Sequence, residues 1–364
     1  MERKFIISGG GTGGHIFPAL SIAGEIRKRD PDARILFVGA LGRMEMERVP
    51  AAGYPIIGLP VEGLQRKMGF RNFRVLYKLV LSLFKARRVL DSFSPGVVIG
   101  VGGYASGPLL RMASRKKIPT LIQEQNSYAG VTNRLLARKA AKICVAYAGM
   151  EKYFPAEKIV ITGNPVREEI VVANVKRSEA CEFFNIRQDK RVLLILGGSL
   201  GARTINNSIL AGVEALEEAG IQVLWQTGRN YYNSIREILG QRDLKNIKCL
   251  DFINRMDLAY TLADIIISRA GAGTISELCL VGKPVILVPS PNVAEDHQTK
   301  NAMALVKEQA ALMVPDAEAP EKLVREALRL MNDGQLRERL GKQCKKMAIS
   351  GSAARIVDEI FKLL

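Results

Sequence analysis

KFIISGGGTGGHIFPALSIAGEI, residues 4–26, begins as a β-branched apolar run, breaks at a six-residue turn rich in glycine, and resumes with apolar residues at helical spacing. A strand that feeds a glycine turn and then a helix is the opening of a β-α-β unit. The pattern returns at VLLILGGSLGARTINNSIL, residues 192–210. Working outward from the first turn, further strands are predicted at Ile35 to Val38, Val97 to Val101, Thr120 to Gln123, Ile143 to Ala146 and Ile159 to Thr162. Around the second turn they fall at Val223 to Gln226, Ile265 to Ser268, Val285 to Val288 and Leu312 to Val314. Short strands alternating with helices make parallel sheets. The expected fold is therefore α/β, two Rossmann-like doubly wound domains facing an interdomain cleft, where ligands of such sheets bind. The expected boundaries are 1–164 and 165–345, joined near Gly163-Asn164-Pro165, with a helix at about 346–364 able to return to the first domain.

Composition narrows the function. A chain of 364 residues with 48% hydrophobic and 24% charged residues can bury two cores. The start lacks the apolar core of a signal peptide, and no stretch reaches the ~18 apolar residues of a spanning helix, so a cytoplasmic protein is expected. Five separated cysteines without a C-x-x-C pair fit a reducing compartment. Two histidines, His15 and His297, with no Cys/His cluster argue against a metal centre, and Asp30-Pro31-Asp32 reads as a turn. Residues 1–165 hold 26 basic and 11 acidic side chains, whereas 166–364 hold 27 and 25. The first half should face something anionic.

Several loops carry chemistry. A glycine turn at a helix N-terminus presents backbone N–H groups and the positive end of the helix dipole, which suits a phosphate. Gly9-x-Gly11-x-x-Gly14 also fits a dinucleotide fingerprint, but the second strand ends in Val38-Gly39-Ala40, without the acidic residue that would hold a ribose. A nicotinamide cofactor is not expected. A third turn, Gly100 to Pro108, contains Gly102, Gly103 and Tyr104 and offers a second phosphate position. In the second half, Arg269 to Glu277 repeats strand, small-residue turn and helix, and the Glu277 carboxylate could accept both hydroxyls of a ribose or favour the helix dipole. Gln298 and Asn301, at i and i+3, could address sugar hydroxyls. His15, directly after the first turn, is a candidate general base. No Ser-His-Asp arrangement or placeable carboxylate pair supports a hydrolase.

Residues 63–90 carry eight basic side chains and no acidic one. On a helical wheel Phe73, Leu76, Tyr77, Val80 and Phe84 form one apolar stripe and Val75, Leu79 and Leu83 a second, with Arg71, Arg74, Lys78 and Lys85 between them. One stripe serves a core; the other, beside the basic edge, suits anionic lipid, while a helix buried on both sides would show the same residues. Nucleic acid, the rival anion, is not expected with 6% aromatics and no known binding module.

GGGTGGHIFPAL (9–20), GVGGYASGP (100–108), QEQN (123–126), GNPVR (163–167), LGGSLGAR (196–203), RAGAGTISE (269–277) and DHQTKNA (296–302) together resemble the MurG family of bacterial UDP-N-acetylglucosamine transferases over essentially the whole chain. Gln123, Leu200 and Ala270 stand where that family often has His, Gln and Ser. The resemblance implies a GT-B fold and an inverting transfer of GlcNAc from UDP-GlcNAc to lipid I, giving lipid II, without cofactor or obligatory metal. It implies that Ser199 and Thr12, Gly13 and Gly14 hold the donor diphosphate, that Arg167 and Ile253 lie along the nucleotide and that Glu277 takes the ribose. Gln298, Asn301, Asn126 and the run Ala272, Gly273, Thr274, Ile275 and Ser276 would address the GlcNAc. His15 would deprotonate the acceptor hydroxyl, and Gly102, Gly103 and Tyr104 would receive the acceptor pyrophosphate. Arg71, Phe73, Arg74, Lys78 and Lys85 would dock the first domain peripherally on the cytoplasmic face of the inner membrane, beside other cell-wall synthesis proteins. A diacylglycerol glycosyltransferase or a sugar-nucleotide epimerase would share much of this pattern.

Overall fold

Both sheets of the computed structural model are wholly parallel, and their strand orders explain where the glycine turns lie. Residues 2–62, 70–166 and 175–364 are described, the side chains of 70–74 and the burial of Ala294 excepted. The chain divides into one unit of Met1–Val166 with Gly351–Leu364 and a second of Arg167–Ser350.

The first unit holds β1 (Lys4–Ser8), β2 (Arg34–Ala40), β3 (Ile56–Leu59), β4 (Val97–Gly100), β5 (Thr120–Glu124), β6 (Lys142–Val145) and β7 (Ile159–Ile161), in the order β3-β2-β1-β4-β5-β6-β7. Phe5 pairs with Ile35 on one side and Val97 on the other, so β1 is central and the winding reverses beside it. The turns after β1 and β4 therefore flank the switch point, where a parallel sheet opens a crevice at its carboxyl edge. The second unit repeats the arrangement with β8 (Val192–Leu196), β9 (Gln222–Gln226), β10 (Ile247–Leu250), β11 (Ile265–Ser268), β12 (Val285–Leu287) and β13 (Leu312–Met313), ordered β10-β9-β8-β11-β12-β13. Its switch point lies between β8 and β11, beside the turns at 197–202 and 269–271.

Central strands read as unbroken apolar runs because helices cover both faces. Each face has its own core, one in the first unit around Ile6, Leu109, Ile122 and Ile143 and the other around Phe5, Ile22, Phe37 and Ile99. The last helix, Ser352–Phe361, belongs to that second core through Ile356, Val357 and Ile360. Phe361 stacks on Phe5 with ring centroids 6.0 Å apart, and Arg29 pairs with Asp358 at 2.5 Å. Burying three aliphatic side chains contributes about 1.5–3 kcal/mol each.

Two strands escape the sequence reading, β3 and β10, each the outermost strand on the β2 or β9 side. β3, Ile-Ile-Gly-Leu, is apolar but only four residues long and interrupted by Gly58, and every residue of β10 is only half-buried.

The long helix Phe70–Phe93 buries Val75, Ser82, Ala86, Val89 and Leu90. Of the two stripes, the second turns partly inward: Val75 is buried and Leu83 half-buried, Leu79 is exposed, and the small residues Ser82 and Ala86 are buried beside them. The other apolar stripe stands in solvent, with Leu76 57%, Tyr77 64% and Phe84 63% exposed. Lys78 is paired with Glu62, and Lys85, Arg87 and Arg88 are exposed. Arg66, Lys67 and Arg167 lie outside the described residues, as do the side chains of Arg71, Phe73 and Arg74.

Candidate active site

In the first unit the turn after β1 leads into the helix Gly13–Arg29, whose N-cap, Thr12, is extended at φ −146° and makes no side-chain cap. The uncapped terminus keeps its positive dipole end for a ligand. His15 Nδ1 lies 3.1 Å from the Gly10 carbonyl oxygen and 3.3 Å from Thr12 Oγ1. A carbonyl can only accept, so in this bond Nδ1 carries the proton and Nε2 of the neutral ring is the basic nitrogen.

The turn itself is fixed by a residue that sequence reasoning missed. Glu45, fully buried, accepts from Gly11 N–H through Oε2 and from Ala40 N–H through Oε1, both at 2.9 Å. Its carboxylate fills the space beside Gly10, where an added Cβ would come within 2.1 Å of Oε1. An acidic group does therefore stand just past the second strand, but it is spent on the backbone. It begins a helix five residues after Ala40, and in the sequence nothing distinguishes it from a solvated helix-start carboxylate.

The turn after β4 interlocks with the first. Gly102 and Gly103 have φ of +97° and +88°, a region that L side chains rarely adopt. A Cβ on Gly102 would meet the imidazole of His15 at 2.7 Å. The Ser106 hydroxyl lies 2.9 Å from both Ser8 O and Gly102 O, tying the turn to the end of β1. Tyr104 is about half exposed at the rim.

Buried amides explain why QEQN and GNPVR occur together. Gln123 donates to Asn164 Oδ1 at 3.1 Å, Asn164 donates to Gln125 O at 3.0 Å, and Gln125 donates to Val101 O at 2.7 Å. The chain of bonds runs from the residue before Gly102 to the segment after β7. Glu124 accepts from the backbone and side chain of Asn126, from Gly130 N–H and from Asn133, so it shapes the following turn.

In the second unit Ser199 is exposed in the turn after β8, flanked by Gly198 and Gly201 at φ +78° and +97°. The helix Ala272–Val281 starts from Gly271 without a side-chain cap, which puts Ala272 to Thr274 at its positive dipole end. Ile275 points into the core, so only its backbone could meet a ligand, whereas Ser276 is half-buried and bonds back to Ala272 O. Glu277 is half-buried in the second turn and accepts from Tyr260 OH at 3.2 Å. Ile253 is buried and gives its N–H to Gln226 Oε1 at 3.0 Å. Gln298 and Asn301 both reach Ala270: Gln298 Oε1 accepts from Ala270 N–H at 3.3 Å and also from Ser290 N–H at 2.9 Å, and the buried Asn301 donates to Ala270 O at 3.5 Å. They hold the end of the β11 turn, with the Gln298 Nε2 group as its remaining donor.

The glycosyltransferase family 28 N-terminal domain matches residues 5–145 and the C-terminal domain of that family residues 192–356. A Parabacteroides distasonis protein named UDP-N-acetylglucosamine–N-acetylmuramyl-(pentapeptide) pyrophosphoryl-undecaprenol N-acetylglucosamine transferase is 57% identical, covering 100% of this chain and 99% of its own. The chain belongs to the MurG family. The crystal structure of Acinetobacter baumannii MurG superposes with a TM-score of 0.81 at 28% identity, covering 100% of both chains. A UDP-GlcNAc 2-epimerase from Neisseria meningitidis matches with a TM-score of 0.66 at 15% identity, which shows a shared fold alone.

Proposed function

We infer that the protein transfers N-acetylglucosamine from UDP-GlcNAc to the 4-hydroxyl of MurNAc in undecaprenyl-pyrophosphoryl-MurNAc-pentapeptide, giving lipid II and UDP. Full-length identity of 57% to a transferase of that name carries the reading. Membership of the MurG family favours it over the diacylglycerol transferase and the epimerase.

His15 accepts the proton of the acceptor hydroxyl at Nε2 as the oxygen attacks the anomeric carbon and the bond to UDP breaks, with inversion. The proton held at Nδ1 by Gly10 O fixes that tautomer. Charge grows on the departing diphosphate, and preorganised N–H dipoles are the fitting response. Ser199 and the Thr12–Gly14 terminus meet it, and Arg167 lies along the nucleotide. Glu277 takes the ribose hydroxyls, Ile253 lies along the nucleotide, and Asn126, Gln298, Asn301 and the Ala272 to Ser276 segment form the GlcNAc side. The Gly102–Tyr104 turn takes the acceptor pyrophosphate.

The helix Phe70–Phe93 docks on anionic lipid at the cytoplasmic face. Leu76, Tyr77, Val80 and Phe84 face solvent although Val75, Val89 and Leu90 already supply a core face, and exposed Lys85, Arg87 and Arg88 supply the complementary charge. Among the described residues no helix is long and apolar enough to cross a membrane.

The deciding experiment is transfer of labelled GlcNAc by the purified protein, in EDTA, to a lipid I analogue and separately to diacylglycerol. Product with lipid I alone is expected. Product with diacylglycerol alone would move the function to glycolipid synthesis, and no transfer to either would return attention to epimerisation.

A further inference from the structure

We propose that Glu45 is a positioning residue for His15, acting through the single peptide group that joins Gly10 to Gly11. The N–H of that peptide donates to Glu45 Oε2 at 2.9 Å, and its carbonyl accepts from His15 Nδ1 at 3.1 Å. Carboxylate, peptide and imidazole thus form one line of hydrogen bonds, the order in which a catalytic base is oriented by a third group, with a peptide inserted. A carboxylate drawing on the N–H polarises the peptide and makes its carbonyl a stronger acceptor, because bonds in a chain reinforce one another and a buried site screens them weakly. The effect is to hold the Nδ1–H tautomer and to stabilise the imidazolium that forms when Nε2 takes a proton.

The surroundings favour this role over simple packing. Glu45 is fully buried, and both oxygens accept from backbone, so the charge sits at the turn rather than in solvent. The Gly10 carbonyl is also confined from the opposite side, since a Cβ on Gly103 would come within 2.4 Å of it. The 39–45 segment brings the Glu45 carboxylate into hydrogen-bond contact with the turn, and the 102–106 segment packs against it through Gly102, Gly103 and the uncharged Ser106. The neutral hydroxyl of Thr12 lies 3.3 Å from Nδ1.

The proposal deepens the reading of His15 as base and rests on it for its catalytic meaning. Its test does not, because the chain has two histidines and the imidazole resonances of His15 can be followed by NMR, with His297→Ala for assignment. In the wild type, neutral His15 should show the Nδ1–H pattern of 15N shifts. In Glu45→Gln its titration midpoint should fall by roughly half a pH unit or more, as expected when a nearby negative charge is removed. The acid limb of the kcat–pH profile should move the same way, with kcat reduced and donor KM unchanged. Glu45→Asp, which keeps the charge, should restore much of the midpoint.

An unshifted midpoint in folded Glu45→Gln overturns the proposal, as does an Nε2–H tautomer in the wild type. Should neither variant fold, the wild-type tautomer alone decides, Nδ1–H supporting and Nε2–H overturning. Near-normal turnover of His15→Ala would remove the base and leave the NMR result standing, so the two failures are distinguishable.

Discussion

Gly103 lies against the carbonyl of Gly10 so closely that a Cβ at 103 would stand 2.4 Å from the Gly10 oxygen. The oxygen that orients His15 is thereby walled in by a second turn. Gly103→Ala should cost about 1–3 kcal/mol, from strain at a positive φ together with the collision. The melting temperature should drop by several degrees and turnover should fall more than the stability loss explains. Wild-type melting and turnover together would dismiss the interlock.

Removing the imidazole should act on chemistry and spare donor binding. His15→Ala is expected to lower kcat by about 10²–10⁴-fold, the range of general-base catalysis. UDP affinity by calorimetry should be unchanged.

Glu277 and Tyr260 allow a graded test of the ribose role. Losing hydrogen bonds to a charged group costs about 1.5–3 kcal/mol, so Glu277→Ala should raise donor KM by roughly 10–100-fold. Tyr260→Phe removes only the phenol that donates to Oε2 at 3.2 Å, and a few-fold rise is expected. Equal effects from both would place Glu277 in a structural rather than a binding role.

The exposed helix stripe predicts a separation of membrane binding from activity. Replacing Tyr77 and Phe84 by Ser, or Lys85 and Arg88 by Glu, should release the protein from phosphatidylglycerol vesicles in co-sedimentation. Each basic residue near such a surface contributes about 1 kcal/mol, so the charge variant should also lose salt sensitivity. Activity on a short-chain, water-soluble acceptor should persist in both.

Alkaline pH should weaken the first unit through Cys144. Burial, with Glu359 adding to it, pushes the thiol up to about 12. A raised folded value means that the folded state holds the proton more tightly, so its contribution is intact below the unfolded value and disappears as pH climbs towards about 12. The loss is about 1.4 kcal/mol per pH unit above roughly 8.5. Between pH 8 and 10.5 the melting temperature of Cys144→Ala should fall less than that of the wild type.

The sheet order and the turns were legible because central strands are apolar throughout and glycine is written at the positions where backbones meet. Edge strands β3 and β10 were not, since an edge requires neither full burial nor alternation. Gln298 and Asn301 were found by spacing, but spacing fixes only a shared face; it could not show that this face meets the Ala270 backbone. Glu45 was illegible for a related reason. A lone carboxylate in a sequence reads as solvated, and its burial follows from two backbone N–H groups that converge only after β1 and β2 have paired.

The helix Ser352–Phe361 completes the core that begins with Phe5. During synthesis the strands made first must wait, with Phe5, Ile7 and Ile26 incompletely covered, until the whole second unit has left the ribosome. A fragment stopped at residue 166 would expose that surface and be prone to aggregate, so the first unit is the earliest begun and the last able to finish folding.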